Sequence, residues 1–219
     1  RLRWLLRRGV WQRLHPAVYL THTGEPSWAT RCRAALLHYG QGAALSLDSA
    51  AFLHRFELRQ PLLVHVDVPH TTYMQPERGV RLHRRRRLPV VRRGTLMVTD
   101  PAFTVIDLAD QRTASRDDAL AVAARAVQRR ATTVEALVGE LGRRRAHRHR
   151  LALQLALGAV AEGAESGLEV LYLDGVIRRH ALPPMRMAVP DTIGGTAIRR
   201  DFENDEYGVV AEVDGRLGH

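Results

Sequence analysis

Apolar residues recur along the chain at two spacings, one helical and one alternating, and the switches between them define the predicted elements. In RLRWLLRRG, Leu2, Leu5 and Leu6 share a helical face, Arg1, Arg3, Arg7 and Arg8 spread over the remainder, and Gly9 stops the helix. VWQRLHPAVYL then reads as a short hairpin or wing with Pro16 at its bend. From Ser27 to about Leu141 the pattern is mixed. SWATRCRAALLHYG reads as a helix closed by Gly40, and LSLDSAAFLHRFEL as a second, with Ser46 or Asp48 available as N-cap. LLVHVDVP alternates as a strand, and GVRLHRRRRLPVV reads as another that carries a dense arginine run. DPAFTVIDLAD, RDDALAVAARAVQRR and TTVEALVGELGRRRAHRHR read as helices, the last with a threonine cap and a glutamate placed as in a capping box.

Beyond Leu151, AESGLEVLYLDGVIRRH predicts a helix with Glu165 and Glu169 on one face, at i and i+4. ALPPMRMAVP follows as a turn and a strand. TAIRRDFEND and YGVVAEVDG then read as two antiparallel strands joined by an acidic turn. The expected class is α/β (α+β) in three regions: the end of a winged helix over 1–26, a mixed α/β domain over 27–150, and an α/β core over 151–219. The basic stretch GRRRAHRHRL, near Gly142, marks the boundary between the last two.

Composition narrows the classes of function. With 219 residues, 45% hydrophobic and 26% charged, the chain is long enough for more than one compact unit. The net charge is +10, and every one of the 33 Lys+Arg is arginine. Codon bias is the bland alternative for this arginine richness, but a charge of this size attracts polyanions, nucleic acid foremost. A single cysteine, Cys32, makes no internal disulfide, which fits a reducing cytoplasm. No apolar run reaches membrane-spanning length, since LALQLALGAVAEGAESGLEV is broken by Glu162 and Glu165, and RLRWLLRRG is too charged for a secretory signal. The chain begins with arginine and stops at His219 directly after its most suggestive strand, so a partial view of a longer protein, with a truncated C-terminal core, is expected.

The candidate chemistry lies at the two ends. A short basic helix followed by an aromatic, basic hairpin has the order of a winged helix-turn-helix ending. There Arg3, Arg7 and Arg8 would enter the major groove while Trp11, Arg13 and His15 touch the backbone. An amphipathic surface helix with a solvated charged face fits the same residues. The run Arg84, Arg85, Arg86 and Arg87 would neutralise further phosphates. Ser49, beside Asp48 at a helix start, reads as a cap rather than a nucleophile. His147 and His149 read as part of a solvated or phosphate-facing basic stretch rather than a zinc site, and His65 as a satisfied strand histidine. At the far end, a helix acid and acids on two successive strands would meet at a common point, where hard divalent cations bind carboxylate oxygens. Lining strand ends and a turn is the alternative, preferred for Glu203, Asp205 and Glu206.

Here the residues carry a resemblance. ESGLE, RRDF and VVAEVDGRLGH together are similar to the PD-(D/E)XK nuclease superfamily, specifically the small Vsr-like endonuclease-type domain common in actinobacterial proteins. The resemblance implies Glu169 as the helix acid, Asp201 as the first-strand aspartate, Glu212 as the next strand acid and His219 as the trailing histidine. Asp214 stands where the superfamily has lysine, so Arg216, His219 or a second metal would have to substitute for that charge. It further implies that Asp201 and Glu212, helped by the Val213 carbonyl, hold Mg²⁺ or Mn²⁺, that Glu169 orients the attacking water, and that His219 serves as general base or acid.

Upstream, GVWQRLHPAVYL, ALSLDSAAFLHRFEL, VHVDVP and TDPAFTVIDLAD resemble the winged-helix N-domain and following α/β domain of AbiEi-like antitoxins of type IV toxin-antitoxin systems, which autoregulate transcription. The two resemblances imply a cytoplasmic fusion of a DNA-reading and a DNA-cutting module, with double-stranded DNA and a cognate toxin as partners. A non-catalytic regulator of the antitoxin class with a degenerate nuclease fold is the alternative. A basic RNA-binding protein is a third class, against which an aromatic content of 5% argues.

Overall fold

The computed structural model describes residues 2–161 and 172–213 of a mixed α and β chain. The chain divides into two compact units, 1–104 and 105–219. In the first, helix α1 (Leu2–Arg7) leads into the antiparallel hairpin of β1 (Gln12–His15) and β2 (Val18–Leu20). Pro16 sets the corner and Ala17 takes the left-handed conformation, φ 62°, that the turn needs. Helix α2 (Trp28–Tyr39) starts at Ser27, whose side chain accepts the Thr30 N–H, and stops at Gly40, φ 76°.

A five-stranded sheet forms the centre of this unit, in the order β5-β4-β3-β7-β6. Its strands are β3 (Ala44–Leu45), β4 (Val64–Pro69), β5 (Val80–Arg85), β6 (Val90–Arg93) and β7 (Leu96–Thr99). β4 and β5 are parallel, as are β3 and β7, while β3–β4 and β6–β7 are antiparallel. The alternation in LLVHVDVP puts Val64, Val66 and Val68 into the core with Cys32, Ala35 and Tyr39 of α2. His65 and Asp67 therefore fall on the opposite face, and they too are buried.

Two sequence patterns divide differently from the expectation. LSLDSAAFLHRFEL begins with a strand residue, Leu45, which pairs with Val66 on one side and Val98 on the other, so helix α3 is confined to Leu47–Leu53. Partners on both sides of the sheet outweigh the local helical pattern. GVRLHRRRRLPVV is two strands, β5 and β6, at opposite edges of the sheet. Pro89, which has no N–H to give a ladder, lies in the break between them. The strand partnering β6 is β7, from GTLMVTD, which the sequence reading passed over.

The division between units falls within α4 (Pro101–Ala109). The second unit continues with α5 (Arg116–Gln128), α6 (Val134–Gly142), α7 (Arg150–Ala161) and a π-helical segment, Leu173–Arg178. The capping box belongs to α5, where Ser115 and Asp118 satisfy each other's backbone; in α6, Thr133 caps alone, accepting the Ala136 N–H. Gly175 of the π segment meets α5 so closely that a Cβ would lie 2.9 Å from Ala121 Cα. The alanines of α5 leave the room for that approach, Ala119, Ala121, Ala123 and Ala124 being wholly buried.

Three antiparallel strands follow in the order β10-β9-β8: β8 (Arg186–Ile193), β9 (Thr196–Asn204) and β10 (Val209–Ala211). β8 and β9 are joined by Gly194 and Gly195, both at positive φ (57° and 82°), the conformation of a type I′ hairpin turn. The acidic turn Asp205–Gly208 joins β9 to β10. No helix among the described residues is long and apolar enough to cross a membrane.

Candidate functional site

The β9–β10 pairing builds the carboxylate site. Ala211 stands opposite Phe202. Glu212 follows directly after the last residue of β10 and lies beside Asp201 of β9. Phe202 is fully buried, its ring tilted at 47° against that of Tyr172 with centroids 5.0 Å apart. Alternation turns Asp201 to the other face. The Asp201 N–H donates to Glu212 Oε2 at 3.4 Å, and the Val213 N–H donates to Asp201 Oδ2 at 2.7 Å. Like charges directly opposite on adjacent strands repel, so this pair gains from a cation.

Two hard oxygen donors at a half-exposed strand end suit an ion that keeps most of its waters, as Mg²⁺ does. Among the described residues, no group of three or more His, Cys, Asp or Glu side chains is gathered for a metal ion. Glu169, Asp214 and His219 lie outside the described residues. Glu203 and Asp205 are engaged elsewhere, by Arg186 at 3.1 and 2.5 Å, and Glu203 also by Arg200 at 2.6 Å. Arg200 in turn binds Asp191.

The N-terminal arginines lie on an ordered support. The hairpin is fixed to α2 through His15, buried with its ring 5.4 Å from that of His38, and His38 Nδ1 donates to the Pro16 carbonyl at 3.2 Å. Gln12 Nε2 donates to the carbonyls of His22 and Gly24 at 3.0 and 2.7 Å. Arg3, Arg7, Arg8 and Arg13 are all exposed. Arg7 Nε donates weakly to the Arg3 carbonyl, and the Arg8 guanidinium sits 5.4 Å above the Trp4 ring. Trp11 is half-buried and, with Tyr19 and Leu37, lines a shallow open groove.

The four arginines of the central run have unlike surroundings. Arg84 donates to the carbonyls of Thr72 (2.9 Å) and Met74 (2.7 Å), Arg85 to Asp67 (2.8 Å), and the Arg87 guanidinium lies 5.7 Å from the Phe103 ring. Arg86 is exposed.

The stretch GRRRAHRHRL departs in part from the expectation of a solvated or phosphate-facing segment: Arg143, Arg145 and Arg148 are exposed, whereas His147, His149, Arg144 and Arg150 are held against the fold. His147 has a wholly buried side chain, its Nε2 3.1 Å from the Ile106 carbonyl, and burial lowers its pKa. His149 Nε2 bonds the Ala114 carbonyl at 3.0 Å. Arg144 bridges Asp107 and Glu140 at 2.6 and 3.0 Å, and Arg150 donates to the carbonyls of Leu141 and Arg144. These side chains satisfy backbone and carboxylate groups of α4, α6 and the loops that follow them, which a sequence run cannot reveal.

The sequence reading also missed a cluster on the β4–β5 face. His65 Nδ1 lies 3.3 Å from His83 Nε2, Asp67 is buried against Arg85, and Asp48 Oδ2 lies 3.5 Å from His65 Nε2. Ser49 is not the cap, a position held by Ser46: its hydroxyl accepts the His65 N–H at 2.9 Å and ties α3 to β4. The alternation His65, Asp67 was the available signal, but the parallel pairing with β5 was not. No protein-family model matches the chain, and no curated protein matches it either.

Proposed function

We propose that the protein binds double-stranded DNA and hydrolyses its phosphodiesters with a divalent metal, through a winged-helix end at its N-terminus and a Vsr-like PD-(D/E)XK core at its C-terminus. The observation that carries this reading is the pair Asp201 and Glu212, a carboxylate on β9 and one directly after the antiparallel β10, joined through the Asp201 N–H. Asp201 and Glu212, with the Val213 carbonyl, would hold Mg²⁺ or Mn²⁺. When bound, the ion supplies Lewis-acid polarisation of the phosphodiester. The Val213 N–H fixes the Asp201 carboxylate, and exposed Arg3, Arg7, Arg8 and Arg13 neutralise phosphates and position the duplex. Roles for Glu169 as the orienting acid and His219 as proton carrier rest on the sequence resemblance. A second reading, a non-catalytic regulator of the AbiEi antitoxin class, is favoured by Asp214 standing where the superfamily has lysine.

Plasmid incubated with the protein and Mg²⁺ or Mn²⁺ separates the two. The nuclease reading expects nicking or linearisation that Asp201→Asn abolishes, with duplex affinity retained by the variant. It also expects a thermal shift with metal, about 2.7 kcal/mol of stabilisation at a hundredfold excess over Kd, that the variant loses. Duplex binding with neither cleavage nor a metal-dependent shift would replace the nuclease with the regulator.

A further inference from the structure

We propose that the His65–His83 pair is a proton-operated latch, which holds edge strand β5 against β4 around neutral pH and releases it on mild acidification. β5 has one strand neighbour, β4, in the five-stranded sheet, and so depends on what crosses that single boundary. The two imidazoles cross it, stacked 5.4 Å apart at an interplanar angle of 14°, with Nδ1 of His65 3.3 Å from Nε2 of His83. That contact requires one nitrogen with a proton and one without. With both rings fully protonated, N–H would face N–H and two cations would share the boundary.

The surrounding charges sharpen the effect. Asp48 of α3 lies 3.5 Å from His65 Nε2, and Asp67 of β4 lies across the ladder from His83; both favour a first proton. Arg81 and Arg85 of β5 oppose it, Arg85 being bonded to Asp67. Burial acts most strongly on both rings and lowers their pKa values. Once β5 detaches, each ring meets water and titrates near the ordinary value of about 6.5. The detached state then binds more protons than the paired state below that pH, so acid favours detachment. Detachment also frees Arg84 from the Thr72 and Met74 carbonyls and Arg85 from Asp67.

Amide hydrogen exchange at pH 7.5 and 5.5, corrected for the intrinsic pH dependence, reads the latch directly. In the wild-type protein, protection across residues 81–85 should fall relative to that of β7 by about tenfold if detachment takes up one proton and about a hundredfold if two. In the double variant His65→Gln/His83→Gln the fall should match that of β7. Parallel loss in β5 and β7 of the wild type, or an excess loss in β5 that persists in the double variant, overturns the proposal. Should the double variant fail to fold, the ring-proton titration of the wild type decides: two midpoints below the ordinary value support the latch. A midpoint at the ordinary value for either ring, with β5 still protected, refutes it.

Discussion

Asp67 is fully buried in the middle of β4, and the 2.8 Å bond from Arg85 makes its charge tolerable there. Removing one partner of a buried pair leaves an uncompensated charge, whereas replacing both removes the desolvation problem. Arg85→Met should therefore destabilise the protein by about 3–5 kcal/mol, and adding Asp67→Leu should recover most of that loss. Urea denaturation of the single and double variants checks both. Single residues were also where local reading misled. His147, within a run of arginines, looks solvated in the sequence, yet its side chain is wholly buried because the carbonyl of Ile106 is there to receive it. Ser49 sits where caps sit, yet its hydroxyl is spent on the backbone of β4.

At the scale of elements, the arginines at the end of β5 should separate into structural and surface classes. Arg84→Ala removes two bonds to the 72–74 segment and should cost about 1 kcal/mol of stability. Arg86→Ala should leave stability within about 0.5 kcal/mol. If Arg86 meets a phosphate, its loss should lower the slope of log affinity against log salt by about one. Denaturation curves and a salt titration of duplex binding test the pair together. The packing of the π segment on α5 has its own critical residue. Gly175→Ala would drive a Cβ to 2.9 Å from the Ala121 backbone and should destabilise the second unit by about 1–3 kcal/mol, measurable by thermal denaturation.

For the whole molecule, the buried histidines set a common pH response. His15, His54, His65 and His83 in the first unit and His147 in the second all have lowered pKa values, with burial the largest cause. The unfolded chain takes up protons below about 6.5 while the folded rings stay neutral. Stability is thus present above that pH, is lost as pH falls below it, and stops falling once the lower folded values are passed. Melting temperature should be lower at pH 5.5 than at 7.5. Asp118 and Glu135, at the starts of α5 and α6, have pKa values lowered by hydrogen bonds, so their contribution is lost in a second, more acidic window. Calorimetry across pH 7.5 to 3 should resolve the two windows.

Short-range spacing carried much of the architecture. Ser27, Gly40 and Thr133 mark helix ends through bonds within a few residues, and the acidic turn closes a β9–β10 hairpin whose register follows from its own length. The juxtaposition of Asp201 and Glu212 was legible for that reason: eleven residues and one turn separate them. The nonlocal pairings were not. Whether GVRLHRRRRLPVV is one strand or two, that β5 lies parallel to β4, and that Leu45 belongs to a sheet all depend on partners brought in from elsewhere along the chain. A parallel pair has no connecting turn to set its register, and a charged or imidazole side chain takes whichever carbonyl, carboxylate or ring the fold sets beside it. The sequence by itself thus determined most of the helices and the local carboxylate pair, while tertiary structure alone decided how the central strands divide and pair, and which arginines and histidines are held inside and which face solvent.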